Sequence, residues 1–241
     1  MPLLEIKGLH KYFGGLRAVC DVSLCIEEGE VLALIGPNGA GKTTIFNVVT
    51  GFLPADAGEV IFGREDVLGL RPHEICAKGI ARTFQIVRPF LAMSVLDNVT
   101  VAALLRNKSI NQAQKKAEEV LEFLGLSEKA HLPASALTLP DRKRLELARA
   151  LATDPRILLL DEVMAGLTPL EIDHFVELLR IVNQRGITIF LIEHVMRGVM
   201  ALSQRVAVLN YGRKIAEGSP EEVTTNREVI EAYLGEEFLS A

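Results

Sequence analysis

The sequence lacks the features that define several classes of protein. No apolar run approaches the roughly 18 residues that argue for a membrane-spanning helix. Residues 1–5 (MPLLE) do not have the pattern of a signal peptide. The formal net charge of −5 disfavours a general nucleic-acid-binding protein, because such proteins are usually basic. We therefore expect a cytoplasmic protein that binds no nucleic acid and reaches any membrane only through a partner.

Cysteine is also scarce, with Cys20, Cys25 and Cys76 as the three examples. The number is odd and the spacing is not that of a metal site, so we expect reduced thiols that are buried rather than functional. No internal repeat or low-complexity tract interrupts the 241 residues, of which 49% are hydrophobic and 24% charged. This balance suits one large globular domain, or a core with a small subdomain.

The most informative stretch is residues 31–51. Residues 31–35 (VLALI) form a short apolar run that predicts a strand buried on both faces, as in a parallel sheet. Residues 36–43 (GPNGAGKT) match G-x-x-x-x-G-K-[ST] in full, and a helix is predicted over 44–50, ended by Gly51. The alternative is an ordinary glycine turn before a helix. The complete motif in its strand, loop and helix context favours phosphate binding.

The chemistry of a triphosphate explains these residue types. Glycines at 36, 39 and 41 let backbone N–H groups point at an anion, and Lys42 adds a charge for the β- and γ-phosphates. The hydroxyl of Thr43 is placed to bind Mg²⁺, and Thr44 is predicted to reach the α-phosphate. The predicted nucleotide-binding residues of this loop are Gly36, Pro37, Asn38, Gly39, Ala40, Gly41, Lys42, Thr43 and Thr44.

An antiparallel pair of strands is predicted before the loop. Residues 3–9 look like a strand, and residues 18–27 alternate with a period of two, which is typical of a half-buried antiparallel strand. Between them, residues 12–15 (YFGG) place an aromatic pair on a turn. Phe13, with Tyr12 beside it, either stacks on a nucleotide base or packs in the core beside the hairpin. The sequence leaves both interpretations open.

The remaining pattern alternates strands and helices. Further strands are predicted over residues 59–62, 80–85, 157–160, 188–192, 206–209 and 214–217. Helices are predicted over residues 72–78, 95–106, 113–124, 142–151 and 227–234, with capped helix starts at Thr168 and Ser219. The helix over 142–151 is basic, and its charges, Lys143 among them, form either a phosphate-binding face or, as is more common, a solvated face.

Polar residues follow two of the buried strands. Asp161 and Glu162 follow residues 157–160, and His194 comes shortly after residues 188–192. Ligands of an open parallel sheet bind at the carboxyl ends of its strands, so these residues should gather near Lys42. We predict that Asp161 holds Mg²⁺ and that Glu162 accepts a proton from the attacking water. Without the phosphate loop, the Asp-Glu pair would read as a strand end that meets solvent.

Two further polar residues are predicted to take part in catalysis. His194 is in place to hydrogen-bond the γ-phosphate and to hold the water in line with Glu162. A lone histidine after a strand is more often structural. Gln85 is predicted to end the strand 80–85 and to touch the Mg²⁺ shell, which by itself is weak support.

In this order, the motifs resemble those of the ATP-binding cassette family, the motor subunits of ABC transporters. The resemblance covers nearly the whole chain: an aromatic turn, both phosphate-site motifs, Gln85, Glu162 and His194. It implies binding of ATP and Mg²⁺, ATP hydrolysis, a second cassette, permease subunits and, indirectly, a substrate-binding protein. Residues 11–15, 81–85, 165–169 and 232–236 are similar to ATPases of branched-chain amino acid importers. Urea importers and the lipopolysaccharide-export ATPase are close relatives.

The resemblance implies a fold and a division of the chain. The expected fold is an α/β P-loop NTPase (RecA-like) core with an antiparallel β subdomain and a helical subdomain. The expected parts are a nucleotide-binding core with the antiparallel strands (1–88), the helical subdomain (89–140), the second half of the core (141–218) and a C-terminal helical tail (219–241).

One departure from the family pattern bears on the partner. The family signature L-S-G-G-Q falls at residues 137–141, which read LTLPD. Leu139 and Pro140 replace glycines, and proline has no N–H to donate. In the family this segment completes the site of the opposite subunit. We therefore expect a heterodimer, more than a homodimer, in which this chain brings an intact phosphate site and a weak signature. Val163 and Thr168 are smaller departures.

Three other functions compete with a transport ATPase. Cassettes of DNA repair carry a long coiled-coil insert and those of translation carry two cassettes, whereas this chain has neither feature. A GTPase would carry N-K-x-D, but residues 107–110 read NKSI. A non-catalytic, nucleotide-gated regulator stays open because the signature is weak.

Overall fold

The structure, a computed structural model, describes residues 2–85 and 89–234. Within these ranges the strands form two sheets, and the smaller one is antiparallel throughout. Its strands lie in the order β2 (Leu16–Glu27), β1 (Pro2–Phe13), β4 (Ala57–Phe62) and β5 (Glu65–Asp66). The predicted antiparallel pairing of the first two strands is confirmed. Both strands are longer than the sequence pattern indicated.

The larger sheet carries the phosphate loop. In the described part of the chain its strands lie in the order β10 (Arg213–Gly218), β9 (Arg205–Asn210), β3 (Val31–Ile35), β8 (Thr188–Ile192), β7 (Ile157–Asp161) and β6 (Ile80–Arg82). All neighbours are parallel except the hairpin of β9 and β10. The strand β8 therefore separates β3 from β7, and the three carboxyl ends meet at one edge. The predicted strands 31–35 and 188–192 are confirmed with their bounds.

Helices cover both faces of this sheet. Those in residues 2–85 and 89–234 are α1 (Lys42–Val49), α2 (Pro72–Lys78), α3 (Val95–Ala103), α4 (Ile110–Phe123), α5 (Leu139–Leu151), α6 (Pro169–Gln184), α7 (Met196–Leu202), α8 (Pro220–Thr225) and α9 (Arg227–Leu234). Of the helices in these ranges, none is both long enough and apolar enough to cross a bilayer.

Local capping explains where several helices begin. The hydroxyl of Thr168 accepts the N–H of Glu171 and Pro169 opens α6, as the capping pattern predicts. The start of α5 differs from the prediction, because this helix begins at Leu139 rather than at residue 142. Proline is tolerated in the first turn, where its missing N–H has no partner in any case, so Pro140 does not delay the helix.

One strand is shorter than expected. The strand β6 ends at Arg82, so Phe84 and Gln85 lie beyond the sheet and the predicted strand 80–85 is wrong in its second half. The side chain of Thr83 offers a local reason. Its hydroxyl accepts the N–H of Asp161 at 3.3 Å, which a backbone carbonyl would take in a longer ladder.

The core lies on both faces of the larger sheet. On β3, Val31, Ala33 and Ile35 face the helices of the second half of the chain, while Leu32 and Leu34 face α1 and the antiparallel sheet. Burial on both faces explains why β3 is a continuous apolar run. Of the three cysteines, all in the described ranges, Cys20 is buried as predicted, whereas Cys25 and Cys76 are only partly buried.

The division of the chain at residues 88, 140 and 218 stays a prediction. The motif at 232–236 lies partly outside the described residues, because Gly235 and Glu236 are not among them.

Candidate active site

The phosphate loop runs from the end of β3 to the start of α1. Its first and last glycines touch neighbouring backbone: a Cβ on Gly36 would lie 2.1 Å from the carbonyl oxygen of Leu209, and one on Gly41 would lie 2.3 Å from that of Ala18. Both also have positive φ angles, 149° and 103°. No other residue type fits these positions, so the loop shape follows directly from its glycines.

Lys42 lies folded over this loop. Its Nζ donates to the carbonyl oxygens of Gly36 at 2.6 Å and Pro37 at 2.8 Å. Burial lowers the pKa of Lys42, while the charges of Glu162 and Asp161 oppose the change. The ammonium is thus close enough to both predicted acids to interact with them.

A cavity of about 470 Å³ opens above the loop. Of the predicted residues, its wall contains Phe13, residues 38–44, Gln85 and Glu162. The structure therefore brings the aromatic turn, the glycine loop and the predicted proton acceptor to one space. Gly36 and Pro37 do not line it, but their carbonyl oxygens accept hydrogen bonds from Nζ of Lys42. A second cavity, of about 420 Å³, shares Thr43 and Gln85 and adds Asp161.

The aromatic turn resolves the question that the sequence leaves open. The side chain of Phe13 is 46% exposed and lines the cavity, so the interpretation as a core aromatic is wrong. The Nζ of Lys11 lies 5.6 Å from the centre of its ring. Tyr12 lies in the wall of a different pocket, where its hydroxyl is 2.9 Å from Nδ1 of His10.

Asp161 is the last residue of β7 and is almost fully buried. Its Oδ2 accepts a hydrogen bond from Nη2 of Arg82 at 2.7 Å. Burial raises the pKa of Asp161, and the Arg82 guanidinium opposes that shift. Arg82 also donates to Oδ1 of Asn47 at 2.6 Å, so one guanidinium joins β6, β7 and α1. In the sequence, Arg82 is a single arginine at a strand end, and this pattern gives no signal for a role in the site.

Glu162 follows directly and has an unusual backbone. Its φ angle is +50°, in the left-handed region that only glycine and a few polar residues adopt easily. Its N–H donates to the carbonyl oxygen of Ile192 at 2.9 Å. Its Oε2 accepts a hydrogen bond from Nε2 of Gln85 at 2.6 Å. The same oxygen lies 3.7 Å from Nδ1 of His194. The three predicted catalytic side chains thus meet at one carboxylate.

A buried glutamate braces the loops that carry these groups. Glu193 accepts the N–H of Met164 at 2.8 Å through Oε1, and those of His194 and Val195 at 3.2 and 3.4 Å through Oε2. The loop after β7 is therefore tied to the loop after β8. Burial raises the pKa of Glu193, and these backbone donors oppose the shift. The Glu-His pair after a strand was visible in the sequence, but only its histidine was assigned a role.

The basic helix α5 does not present a simple solvated face. Lys143 is 6% exposed, and its Nζ donates to the carbonyl oxygen of Glu162 at 3.2 Å. Glu146 is buried as well and pairs with Arg149 at 2.9 Å. The solvated-face interpretation is therefore wrong for these positions. Lys143 touches the site through the backbone of Glu162.

The segment at residues 137–141, which departs from the family signature, leads into the first turn of α5. The hydroxyl of Thr138 donates to Oδ2 of Asp141 at 2.7 Å, and Nζ of Lys129 donates to the same oxygen at 2.5 Å. Leu139 is 47% exposed, beside Gly166. An apolar side chain thus stands where the family pattern has a glycine.

The donors near Thr43 fit a magnesium ion. Mg²⁺ prefers oxygen ligands and is commonly held by one or two protein groups together with substrate phosphates and waters. The exposed hydroxyl of Thr43, the amide of Gln85 and the carboxylate of Asp161 line one cavity. Among the described residues there is no cluster of three His, Cys, Asp or Glu side chains that would hold a metal alone. Thr43, Gln85 and Asp161 are the kind of donors expected at a Mg²⁺ site where the phosphates of a nucleotide supply the remaining ligands.

Known proteins share this sequence and this fold. The profile of the ABC transporter family matches residues 19–165, and a profile described as "Branched-chain amino acid ATP-binding cassette transporter" matches residues 213–239. The high-affinity branched-chain amino acid transport ATP-binding protein LivG of Salmonella typhimurium is 44% identical over 98% of both chains.

Two solved structures extend the comparison. The ADP conformation of an ATP-binding cassette of an ABC transporter has a TM-score of 0.89 at 34% identity and covers 98% of this chain and 100% of its own. A dimeric cassette in a post-hydrolysis state, bound to ADP and Pi, has a TM-score of 0.81 at 25% identity and covers 90% of this chain and 98% of its own. The predicted α/β P-loop NTPase fold is confirmed. With its phosphate loop and acids in place, the chain belongs to the ABC transporter family, as one of its ATP-hydrolysing cassettes.

Proposed function

We propose that this cassette energises the import of branched-chain or other hydrophobic amino acids through a membrane permease. The observation that carries the substrate class is the 44% identity to LivG over nearly the full length of both chains. The match of residues 213–239 to the branched-chain amino acid cassette profile supports the same class. It also favours an amino acid importer over the urea importers and the lipopolysaccharide exporter that share the other motifs.

Substrate binding follows from the shape of the cavity. The backbone N–H groups of residues 38–44 and the N-terminus of α1 surround the place for the phosphates of ATP. Gly36 and Pro37 shape the loop and hold the ammonium of Lys42 beside it. Phe13, in the wall of the same cavity, is in place to stack on the adenine ring. These roles are proposals that rest on position and chemistry.

Mg²⁺ would be held by Thr43, Asp161 and Gln85. When bound, the ion would neutralise charge on the transferred phosphate. The rest of the chemistry belongs to the side chains around Glu162. Its carboxylate is proposed to accept a proton from the attacking water. Gln85 donates to Oε2 of that carboxylate at 2.6 Å, and Nδ1 of His194 lies 3.7 Å from the same oxygen, so both are in place to orient it toward the water.

The cassette is proposed to work as a heterodimer on the cytoplasmic face of the membrane. In the dimer each signature segment faces the nucleotide of the opposite cassette. Here Leu139 and Pro140 occupy that segment, and Leu139 projects an exposed apolar side chain. The nucleotide bound by the partner would therefore meet a poor set of donors. The intact site of this chain would be completed by the partner's signature.

The same segment supports a second candidate, a catalytically weak cassette that gates transport by binding nucleotide. Activity separates the two. We expect the purified chain to bind Mg-ATP and hydrolyse it slowly, and a partner cassette co-purified with the native permease to raise the rate. Lys42→Ala is the control for binding. Absence of Mg-ATP binding would refute the cassette function, and a rate unchanged by the partner would favour the gating role. Uptake of radiolabelled leucine by the assembled complex tests the substrate class.

A further inference from the structure

The side chain of Lys143 is buried directly beneath the loop after β7. It is 6% exposed and donates to the carbonyl oxygen of Glu162 at 3.2 Å. A buried ammonium is costly unless charge and hydrogen bonds compensate it. Burial lowers the pKa of Lys143, while the carboxylates of Glu193 and Glu162 oppose the shift. The buried ammonium of Lys143 is thus stabilised by nearby carboxylates and by its hydrogen bond to the backbone of Glu162.

The residue that it contacts has a strained backbone. Glu162 has a φ angle of +50°, a left-handed conformation that long side chains disfavour. Such strain persists only where surrounding contacts determine it, and it is common at functional sites. The N–H of Glu162 is held by the carbonyl of Ile192 on β8, and its carbonyl is held by Lys143 on α5. The two contacts fix the turn from both of its sides.

We propose that Lys143 is a positioning residue for Glu162, which holds the left-handed turn that directs the carboxylate into the nucleotide cavity. This inference rests on the proposed role of Glu162 as proton acceptor. Of the two residues, Glu162 lies in the cavity wall that the structure describes and Lys143 does not, so Lys143 acts without touching the substrate. It therefore affects the rate of hydrolysis more than the binding of ATP.

Glu193 also favours a charged side chain at this position. The carboxylates of Glu193 and Glu162 oppose the lowering of the pKa of Lys143 by burial, which supports a cation here rather than a neutral donor. The positioning role itself rests on the hydrogen bond from Nζ of Lys143 to the carbonyl oxygen of Glu162.

The first experiment compares Lys143→Met with Lys143→Gln in the full-length chain assembled with its partner cassette and permease, because hydrolysis by the chain alone is expected to be slow. Lys143→Met removes the donor, and we expect kcat for ATP hydrolysis to fall about 10- to 100-fold, because a misplaced catalytic group costs that much. The KM for ATP and the Kd of Mg-ATP, measured by calorimetry, should stay within about twofold of the wild type. Lys143→Gln keeps a shorter donor and should recover part of kcat. Lys115→Met, at an exposed position of α4, controls for the lost charge and should leave kcat unchanged.

A second background tests whether Lys143 acts through Glu162 rather than through Glu193. Because Glu193 itself braces the loops after β7 and β8, Glu193→Gln alone is expected to lower kcat and serves as the reference. Adding Lys143→Met to that variant should lower kcat by a further factor of about 10 to 100, because Glu162 still loses its donor. A double variant with the same kcat as Glu193→Gln would overturn the inference. So would a Lys143→Met variant with wild-type kcat, or one whose loss lies in the binding of Mg-ATP.

The outcomes that would refute the proposed function differ from those that would refute only the positioning role of Lys143. If the assembled wild-type complex does not hydrolyse ATP, the proposed function fails and this inference fails with it. If Glu162→Gln retains turnover, the role of Glu162 as proton acceptor is wrong. If Glu162→Gln is inactive while Lys143→Met has wild-type kcat, the proposed function stands and the positioning role alone is refuted.

Discussion

Nη2 of Arg82 lies 2.7 Å from Oδ2 of Asp161, and both side chains are almost completely buried. The pair joins the edge strand β6 to β7 at the level of the phosphate loop. Since Arg82 also bonds Asn47 of α1, the guanidinium fixes three elements around the carboxylate that is proposed to hold Mg²⁺. One oxygen of that carboxylate is thereby engaged by the protein itself.

The first prediction concerns this pair. Arg82→Met should lower the free energy of unfolding by about 3–5 kcal/mol, because it leaves the charge of Asp161 buried without a partner. The midpoint of urea denaturation measures the effect. Arg71→Met, which removes an exposed arginine paired with Glu74, is the control and should move the midpoint little. Equal effects of the two substitutions would contradict the importance of the buried pair.

The second prediction concerns the proton acceptor. Glu162→Gln should keep Mg-ATP binding and reduce kcat by at least about 10²-fold, because the amide cannot accept the proton of the attacking water. Calorimetry measures binding, and release of phosphate measures turnover. Glu118→Gln, an exposed position on α4, should behave as the wild type. Retained turnover in Glu162→Gln would remove this residue from the proposed role.

The third prediction is a dependence of stability on pH. Burial raises the pKa of Glu193 above its ordinary value of 4.5. The folded chain therefore keeps this proton to higher pH than the unfolded chain, and the stability that the group contributes falls as the pH rises from 4.5 through the folded pKa. Above the folded pKa of Glu193, the loss of stability no longer changes with pH.

Glu193→Gln cannot lose a proton, so it should escape this decline. The melting temperature of the variant, taken relative to the wild type at each pH, should rise across this window and then level off. Glu177→Gln, exposed on α6, should show no such trend. A difference that stays constant with pH would contradict the raised pKa of Glu193.

The fourth prediction concerns the signature segment. Replacing Leu139 and Pro140 by glycine should restore backbone donors and flexibility at the start of α5. If two copies of the chain can then complete each other's sites, hydrolysis by the chain alone should rise by about tenfold or more. Far-ultraviolet circular dichroism and the melting temperature check that the variant is folded, and adding Lys42→Ala should abolish the gain. An unchanged rate in the folded variant would argue against the heterodimer hypothesis.

The parts that the sequence predicted well have a local physical cause. Residues 31–35 and 189–192 are apolar throughout, because both faces of each strand are covered. The start of α6 follows from Thr168, Pro169 and Glu171, whose capping bonds need no distant contact. The same holds for the phosphate loop, whose glycines and lysine form a contiguous motif.

The parts that the sequence missed depend on distant contacts. Lys143 reads as a solvated charge on α5, and only the loop after β7 buries it. Arg82 and Asp161 are far apart in the chain and meet because β6 and β7 are neighbours. The end of β6 was placed too late, because the hydroxyl of Thr83 replaces a ladder bond that the pattern alone implies.

The phosphate loop is wedged between two segments that come from opposite parts of the chain. A Cβ on Gly41 would strike the carbonyl of Ala18, and Gly212 of the late hairpin donates its N–H to the carbonyl of Ala40 at 3.0 Å. During synthesis on the ribosome, the loop emerges long before that hairpin does. A nascent chain that stops short of Gly212 carries the whole motif but lacks the segment that bonds Ala40, so we expect triphosphate binding to arise late in translation.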